Sequence, residues 1–193
     1  PGLKEEDLPG GEGWAIEEIT LTTHNGTHMD APYHYNSKDK DGNPMPTIDQ
    51  MPLDWYFRPG VKLDFRHMED GYVATAVDVQ AELKRIGYEV QPMDIVLVNT
   101  HAGEMYGSDQ YIHSGCGVGG EATKWLTSQG VRVTGIDGWS WDAPFSKTLE
   151  RWLKTKDPSI IWEGHYAGID VPYCHMEKLR HLEDLPDFGF TVA

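Results

Sequence analysis

The chain is poor in cysteine, in basic residues and in long apolar runs. Two cysteines among 193 residues, Cys116 and Cys174, are too few for a disulfide scaffold; free thiols in a reducing cytosol are expected, with one bridge between them as the alternative. No apolar run approaches the ~20 residues that a membrane-spanning helix requires. Sixteen Lys and Arg against 31 Asp and Glu give a net charge of −15, which disfavours nucleic acid or an anionic membrane as a partner.

The first residues also lack the features of a leader. Residues 1–6 contain no apolar segment of the kind found in signal peptides, so we expect no secretion signal there and a cytoplasmic location. The chain begins with Pro1 rather than Met, which is consistent with a trimmed start. Residues 1–13 are polar and rich in Gly and Pro, and we expect them to form an arm. The length predicts one domain over residues 1–193.

Apolar patterning along the chain predicts strands that alternate with helices, which indicates an α/β layered fold. The run D-I-V-L-V-N-T at residues 94–100 is typical of a strand covered on both faces. Gly87 and Gly130 follow helical patterns and are suitable terminating residues. Strands are predicted over residues 14–23, 61–65, 94–100, 131–136 and 166–171, helices over residues 77–86, 121–129 and 149–154, a loop over residues 36–47, and a turn or short helix over residues 178–185.

The densest group of metal-ligand side chains lies in the eleven residues H-N-G-T-H-M-D-A-P-Y-H, residues 24–34. An isolated H-x-x-x-H would be a weak signal, because two surface histidines of a helix produce it. Here Gly26 and Pro32 disfavour a helix. Imidazole nitrogen and carboxylate oxygen are ligands that Zn, Mn and Fe(II) accept. The loop therefore predicts a metal site whose candidate residues are His24, His28, Asp30 and His34.

A second group of candidate ligands lies in residues 163–179, although most of its members are expected to be surface groups. A strand over residues 166–173 would separate its ends by some ~20–25 Å. His165 and Glu177 can therefore reach one ion only if the chain folds back near Pro172. The candidate ligands of this segment are Glu163, His165, Asp170, His175 and Glu177.

The His loop resembles the H-x-G-T-H-x-D-x-P-x-H signature of the cyclase family of metal-dependent hydrolases, whose members include bacterial kynurenine formamidase and isatin hydrolase. The resemblance continues through the Gly135-Ile136-Asp137 strand end and through His165 and Glu177, which are twelve residues apart. It reaches Leu185-Pro186 and Gly189-Phe190 near the end of the chain. The resemblance therefore covers the chain from about residue 20 onward.

The resemblance implies a swivelling β/α/β domain, with a layered mixed sheet and flanking helices, that assembles as a homo-oligomer, either dimer or tetramer. It implies one or two divalent ions per chain, Zn or Mn, with His24, His28 and Asp30 as ligands. In members with two metals Asp30 would bridge the ions, and His165 with Glu177 would hold the second. His34 resembles the family's acid/base residue.

Together with the resemblance, these residues predict hydrolysis of a non-peptide C–N bond in a small amide by metal-activated water. The substrate would be a formamide, lactam or related amide, with an aromatic one favoured. An imidazole with an ordinary pKa near 6.5, such as His34, suits proton transfer at neutral pH. Two alternatives remain open: a metal-binding protein without catalysis, and a non-haem Fe(II) oxygenase that uses His28, Asp30 and a distant histidine.

Other side chains are weaker candidates. Asp137 and Asp142 are candidates to orient ligand histidines, and His101 and His113 are candidates for the pocket. Aromatic residues after Asp137 could hold an aryl substrate, but core packing is slightly favoured for them: Trp139, Trp141 and Phe145. The glycine-rich residues 115–120 lack a phosphate-loop ending and predict only a turn that leads into a helix.

Overall fold

The computed structural model describes residues 2–193, which form a mixed α/β structure. Its strands are β1 (His28–Asp30), β2 (Arg58–Asp64), β3 (Val73–Ala74), β4 (Ile95–Asn99), β5 (Gly117–Val118), β6 (Val133–Ile136), β7 (Cys174–Glu177) and β8 (Phe188–Val192). Six of them form one sheet in the order β1-β7-β6-β4-β2-β8, while β3 and β5 form a separate pair. The four central strands are parallel, and β1 and β8 pair antiparallel at the two edges.

The helices are α1 (Ala76–Ile86), α2 (Ala102–Met105), α3 (Gly120–Ser128), α4 (Phe145–Thr155) and α5 (Glu163–Ala167). Helix α1 begins at a capping box, in which Thr75 and Asp78 exchange hydrogen bonds, and it ends at Gly87 in the left-handed conformation. Together with the mixed sheet, these helices confirm the predicted α/β class with flanking helices. None of the helices that the structure describes is long and apolar enough to cross a membrane.

Apolar side chains cover the central strands on both faces. Along β4, Val96 and Val98 belong to one buried cluster, while Ile95 and Leu97 belong to a second cluster on the opposite face. Every residue of β4 is buried. This confirms the prediction of a doubly covered strand at residues 94–100. Cys116 and Cys174 are buried free thiols, in agreement with the sequence.

Two predicted strands are wrong. Residues 12–22 belong to no strand or helix, because a strand requires a backbone partner and no described residue supplies one. Residues 166–171 do not form a strand either: the chain forms helix α5 up to Ala167, turns at residues 168–170 and passes Pro172 before it enters β7. The predicted helix at residues 149–154 starts earlier, at Phe145 directly after Pro144.

Candidate metal centre

The centre is built on the antiparallel pairing of β1 with β7. In this register His28 lies opposite Glu177, and Asp30 lies opposite His175. Because alternate residues of a strand point to the same face of a sheet, all four side chains project from one side. Strand geometry therefore brings together two segments that are about 145 residues apart in the chain.

Asp30 lies at the middle of the centre, and imidazoles face both of its oxygens. Histidines of the loop approach Oδ1: Nδ1 of His24 at 2.7 Å and Nε2 of His28 at 3.2 Å. The other oxygen, Oδ2, faces what we call the deep side of the centre, where Nε2 lies at 3.1 Å for His175 and at 3.9 Å for His165. Nε2 of His34, at the rim, lies 3.8 Å from the same oxygen.

Glu177 adds a second buried carboxylate to the deep side of the centre. Its Oε1 lies 3.4 Å from Nε2 of His175 and 3.8 Å from Nε2 of His165, and it accepts a hydrogen bond from the backbone N–H of Trp141. Its Oε2 lies 3.7 Å from Nε2 of His28 and 3.4 Å from Nζ of Lys178. Glu177 thus faces both the loop histidine and the deep histidines.

Buried polar atoms without hydrogen-bond partners show that this group suits a cation. Neither oxygen of Asp30 accepts a hydrogen bond from a described residue, and neither ring nitrogen of His175 takes part in one. Burying such groups unpaired is costly. One ligand atom from each of four buried residues lies within 4.8 Å of the others: Asp30, His165, His175 and Glu177. Two imidazoles and two carboxylates form a donor set that Zn or Mn accepts, and the residues therefore fit a divalent ion.

Hydrogen bonds to the outer nitrogens orient two of the histidines. Nδ1 of His28 lies 2.9 Å from the carbonyl oxygen of Gly26, and Nδ1 of His165 lies 2.5 Å from Oδ2 of Asp142. In each ring the bonded Nδ1 carries the proton, which leaves Nε2 as a free lone pair towards Asp30 and Glu177. Asp142 also accepts from the backbone N–H groups of Gly164 and His165, so its position is fixed.

The charges of the deep side are strongly coupled. Burial alone would lower the pKa of His175, but the facing carboxylates of Asp30 and Glu177 raise it to about 9. Burial alone would raise the pKa values of both carboxyls, yet the facing imidazole holds each below its usual range. The two carboxylates therefore favour positive charge at this point of the fold.

His34 lies at the rim of the centre and has a different environment. Burial lowers its pKa to about 4 against the opposing attraction of Asp30. Its ring lies 3.9 Å from the ring of His24 and 5.7 Å from that of His165, measured between centroids. The side chain is thus uncharged at neutral pH and lies next to the cluster, but its pKa is below the ordinary value near 6.5 that the sequence led us to expect.

A cavity of about 440 Å³ opens beside the candidate metal ligands. The ring of Trp162 stacks on His165 with 5.2 Å between centroids, and Nζ of Lys178 lies 4.7 Å from the ring centre of Trp139. Aromatic side chains therefore line the same cavity as His34, His165 and Glu177. The cavity wall includes Trp139, Phe145, Trp162 and Lys178.

Most of the predicted site residues come together, and several weaker candidates do not. His24, His28, Asp30, His165 and Glu177 all converge on the centre, with His34 at its rim. The others have partners elsewhere: His101 pairs with Asp70, His113 with Ser146, Glu163 with Gly120 and Asp170 with Lys124.

Some of the aromatic residues after Asp137 lie at the centre and others do not, and the same is true of the two carboxylates that were candidates to orient histidines. Trp139 and Phe145 line the cavity, but Trp141 is fully buried in the core. Asp142 orients His165, whereas Asp137 accepts hydrogen bonds from the backbone and hydroxyl of Thr100 and touches no ligand histidine.

His175 is a residue of the centre that the sequence does not single out, because it is only one of five candidate ligands in its segment. The signal that could identify it is the spacing of two between His175 and Glu177, which places both side chains on one face if residues 174–177 form a strand. The sequence pattern predicts no strand at these residues, so the spacing alone does not indicate a ligand.

Comparison with known proteins bears on the family of the chain. The model of the Cyclase family matches residues 4–143. The kynurenine formamidase of Erythrobacter litoralis (strain HTCC2594) is 31% identical over 189 residues, which cover 90% of this chain and 79% of the relative. The chain belongs to the Cyclase family.

Solved structures show the same fold. Isatin hydrolase A from Labrenzia aggregata bound to benzyl benzoate has a TM-score of 0.70 at 21% identity, covering 95% of this chain and 71% of that one. An isatin hydrolase bound to the product analogue thioisatinate has a TM-score of 0.68 at 21% identity over 88% of this chain. The chain spans only 64% of the length of that second hydrolase.

Proposed function

We propose that this chain is a metal-dependent hydrolase that cleaves a non-peptide C–N bond in a small aromatic amide, such as a formamide or lactam. The observation that carries the proposal is the buried, unpartnered set of Asp30 oxygens and His175 nitrogens beside an aromatic cavity. The membership of the Cyclase family and the resemblance to a kynurenine formamidase support the reaction class.

The residues would hold one or two ions, Zn or Mn, around Asp30. His165, His175 and Glu177 would be ligands together with Oδ2 of Asp30, and His24 and His28 together with Oδ1. Because a carboxylate has two oxygens, Asp30 could be a ligand in both groups. When bound, a divalent ion lowers the pKa of a water molecule and polarises an amide carbonyl.

The chain's own residues would bind the substrate and transfer protons. The aromatic wall of Trp139, Phe145 and Trp162 would hold an aryl ring, with its amide towards the metal residues. Nε2 of His34 would accept a proton from water and deliver it to the departing nitrogen, which is a poor leaving group without protonation. His28 and His165 would keep their ring orientation through Gly26 and Asp142.

Metal analysis and a hydrolysis screen on the same preparation test this proposal. We expect one or two equivalents of Zn or Mn per chain, and turnover of at least one member of a panel that includes N-formylkynurenine, formanilide and isatin. Activity should disappear on chelation and return when the ion is added back. Bound metal with no hydrolysis across the panel would instead favour a metal-binding protein without catalysis.

We also propose that the chain assembles as a homo-oligomer, as the family resemblance implies, and that it acts in the cytoplasm. The two free thiols are consistent with a reducing compartment. Sedimentation of the purified chain tests the first point, and fractionation of cells that produce the protein tests the second.

A further inference from the structure

A lysine side chain is enclosed in the wall of the cavity beside the metal centre. Lys178 directly follows the candidate ligand Glu177, and only 6% of its side chain is exposed. Among the described residues that line this cavity, it is the only Lys or Arg. Lysine is rarely buried, because enclosing an ammonium group is costly unless an anion faces it. The position of Lys178 therefore calls for an anionic partner.

The backbone at Lys178 adopts a conformation that other residue types reach more easily. Its φ is 59°, in the left-handed region that favours Gly and Asn. Two hydrogen bonds hold it there: its N–H donates to the carbonyl oxygen of Gly138, and its carbonyl oxygen accepts from Oγ1 of Thr27. The turn alone would favour Gly or Asn at this position, so the turn does not explain the lysine side chain.

The ammonium group lies between the metal centre and the aromatic wall. Nζ of Lys178 is 3.4 Å from Oε2 of Glu177 and 4.7 Å from the ring centre of Trp139. The ring of Trp139 lines the cavity and is half-exposed, so a ligand can pack against it. An aryl ring on Trp139, with its amide at the metal residues, would therefore lie next to Nζ.

The carboxylates of the cavity do not fully compensate this charge. Glu177 also faces Nε2 of His165 and of His175, and it accepts a hydrogen bond from the backbone of Trp141. An ion held by Glu177 would draw on the same negative charge. Asp142, the other carboxylate that lines the cavity, accepts from the backbone and the ring of His165. The ammonium, which has three donors, can therefore donate to an anion that enters the cavity.

We propose that Lys178 binds a carboxylate of the substrate and restricts the enzyme to aromatic amides that carry this carboxylate next to the amide. The inference rests on the proposed hydrolysis, which places the amide at the metal residues. Because Nζ is only 3.4 Å from Glu177, an anion on Nζ lies beside the amide and not at the far end of the ring. An ortho carboxylate meets this condition, and in an enclosed site its ion pair with Lys178 is strong.

Binding of two isomeric aminobenzoates tests the proposal without turnover. 2-Aminobenzoate and 4-aminobenzoate carry the same charge and differ only in the position of the carboxylate. We expect the metal-loaded protein to bind 2-aminobenzoate more tightly in isothermal titration calorimetry. The ratio of the two dissociation constants should fall about tenfold or more towards 1 in Lys178→Met, which keeps the length of the side chain and removes its charge.

A second variant guards against misfolding, and a second lysine gives a matched control. Lys178→Asn also removes the charge, and Asn suits a φ of 59°, so it should lower the ratio as Lys178→Met does. Lys156 is likewise left-handed, with Nζ 4.3 Å from the ring centre of Trp152, but it is exposed and does not line the cavity. Lys156→Met should leave the ratio unchanged.

The competing explanation is that Lys178 only compensates the charge of Glu177. In that case Lys178→Met would change the affinities for both isomers by the same factor, and the unchanged ratio would overturn the proposal. Equal affinities of the unmodified protein for the two isomers would overturn it as well. Absence of hydrolysis across the amide panel would instead count against the proposed function, because the ratio is measured with no reaction.

Discussion

The two sides of Asp30 differ in how firmly their residues are held. On the deep side, His165, His175 and Glu177 are buried and are fixed by a strand, by Asp142 and by the backbone of Trp141. On the loop side, the side chains of His24 and His34 are 40% and 27% exposed. The sheet therefore fixes one half of the centre, while a turn between residues 23 and 27 positions the other.

This difference separates binding from proton transfer. A ligand set that is fixed before the ion arrives binds it tightly, because little conformational entropy is lost on binding. A histidine that carries protons instead needs access to water and to the substrate. We therefore expect the deep side to dominate metal affinity and the loop side to dominate turnover.

The largest effect should follow from Asp30→Asn, since this carboxylate faces both sides of the centre. The amide of Asn has the same shape as the carboxylate but lacks the negative charge that faces the imidazoles on both sides of Asp30. We expect loss of bound metal and a fall of activity to background, measured by metal analysis and amide hydrolysis. A variant that retains full metal content would show that Asp30 is not the central ligand.

A paired comparison of His175→Ala with His24→Ala tests the asymmetry itself. His175 is fully buried opposite Asp30, whereas His24 is half-exposed on a loop. We expect the metal dissociation constant, measured by competition with a chelator, to rise more for His175→Ala than for His24→Ala. Equal or reversed effects would contradict the division into a deep binding side and a loop side.

His34→Ala should separate turnover from binding. The ring lies 3.8 Å from Asp30 at the cavity rim, where it can transfer protons without ligating an ion. We expect the variant to keep its metal and lose roughly 10²–10⁴ in kcat, the usual range for removal of a general acid/base. If His34→Ala loses its metal as completely as Asp30→Asn, then His34 is a ligand and another group must transfer the proton.

Asp142→Asn should have a smaller effect, confined to the deep side. This carboxylate accepts from Nδ1 of His165 and so directs Nε2 of that ring towards Asp30 and Glu177. Removal of such an outer partner usually costs roughly 10–100-fold in metal affinity or activity. Circular dichroism should stay unchanged, and Asp41→Asn, at an exposed carboxylate, is the control. An unaltered metal dissociation constant would mean that Asp142 supports only the α5 backbone.

The sequence was sufficient to predict most of the fold, because strong local patterns determine most of the elements. The continuous apolar run at residues 94–100 and the helical pattern that stops at Gly87 agree with β4 and α1. The predicted strand at residues 14–23 is wrong because alternation of apolar and polar residues indicates which side chains a strand would bury. It does not indicate whether a neighbouring strand is present to pair with it. The predicted strand at residues 166–171 is wrong because helix α5, which covers its first residues, is only five residues long. That length is too short for a helical pattern of apolar residues to be recognised.

The loop of the centre was predictable, but its deep side depends on contacts distant in sequence. Three histidines and Asp30 within eleven residues are visible without a structure. The partnership of Asp30 with His175 depends on the register of β1 against β7, and no local pattern encodes that register. Asp142 orients His165 across 23 residues for the same reason.

Asp137 lies outside the centre and carries a pH-dependent contribution to stability. Burial raises the pKa of its carboxyl to about 7, although Thr100 donates backbone and hydroxyl hydrogen bonds to it. The ordinary pKa of an aspartate carboxyl, which applies to the unfolded chain, is 3.8, so between these values the folded chain holds a proton that the unfolded chain has lost. The free energy of unfolding should therefore fall as pH rises from about 4 to about 7 and stay level above that.

Asp137→Asn should remove this dependence and have the smallest effect on the metal centre. From pH 5 to pH 8 the carboxyl of the wild type loses its proton inside the fold, at a cost of about 3 kcal/mol in unfolding free energy, while the amide does not titrate. Urea unfolding of both chains without metal, at unit steps of pH, measures the difference between them. Titrations elsewhere cancel in that difference, so it should change by about 3 kcal/mol over the range. Parallel curves would show that Asp137 stays ionised at pH 5, and that the Thr100 donors outweigh burial.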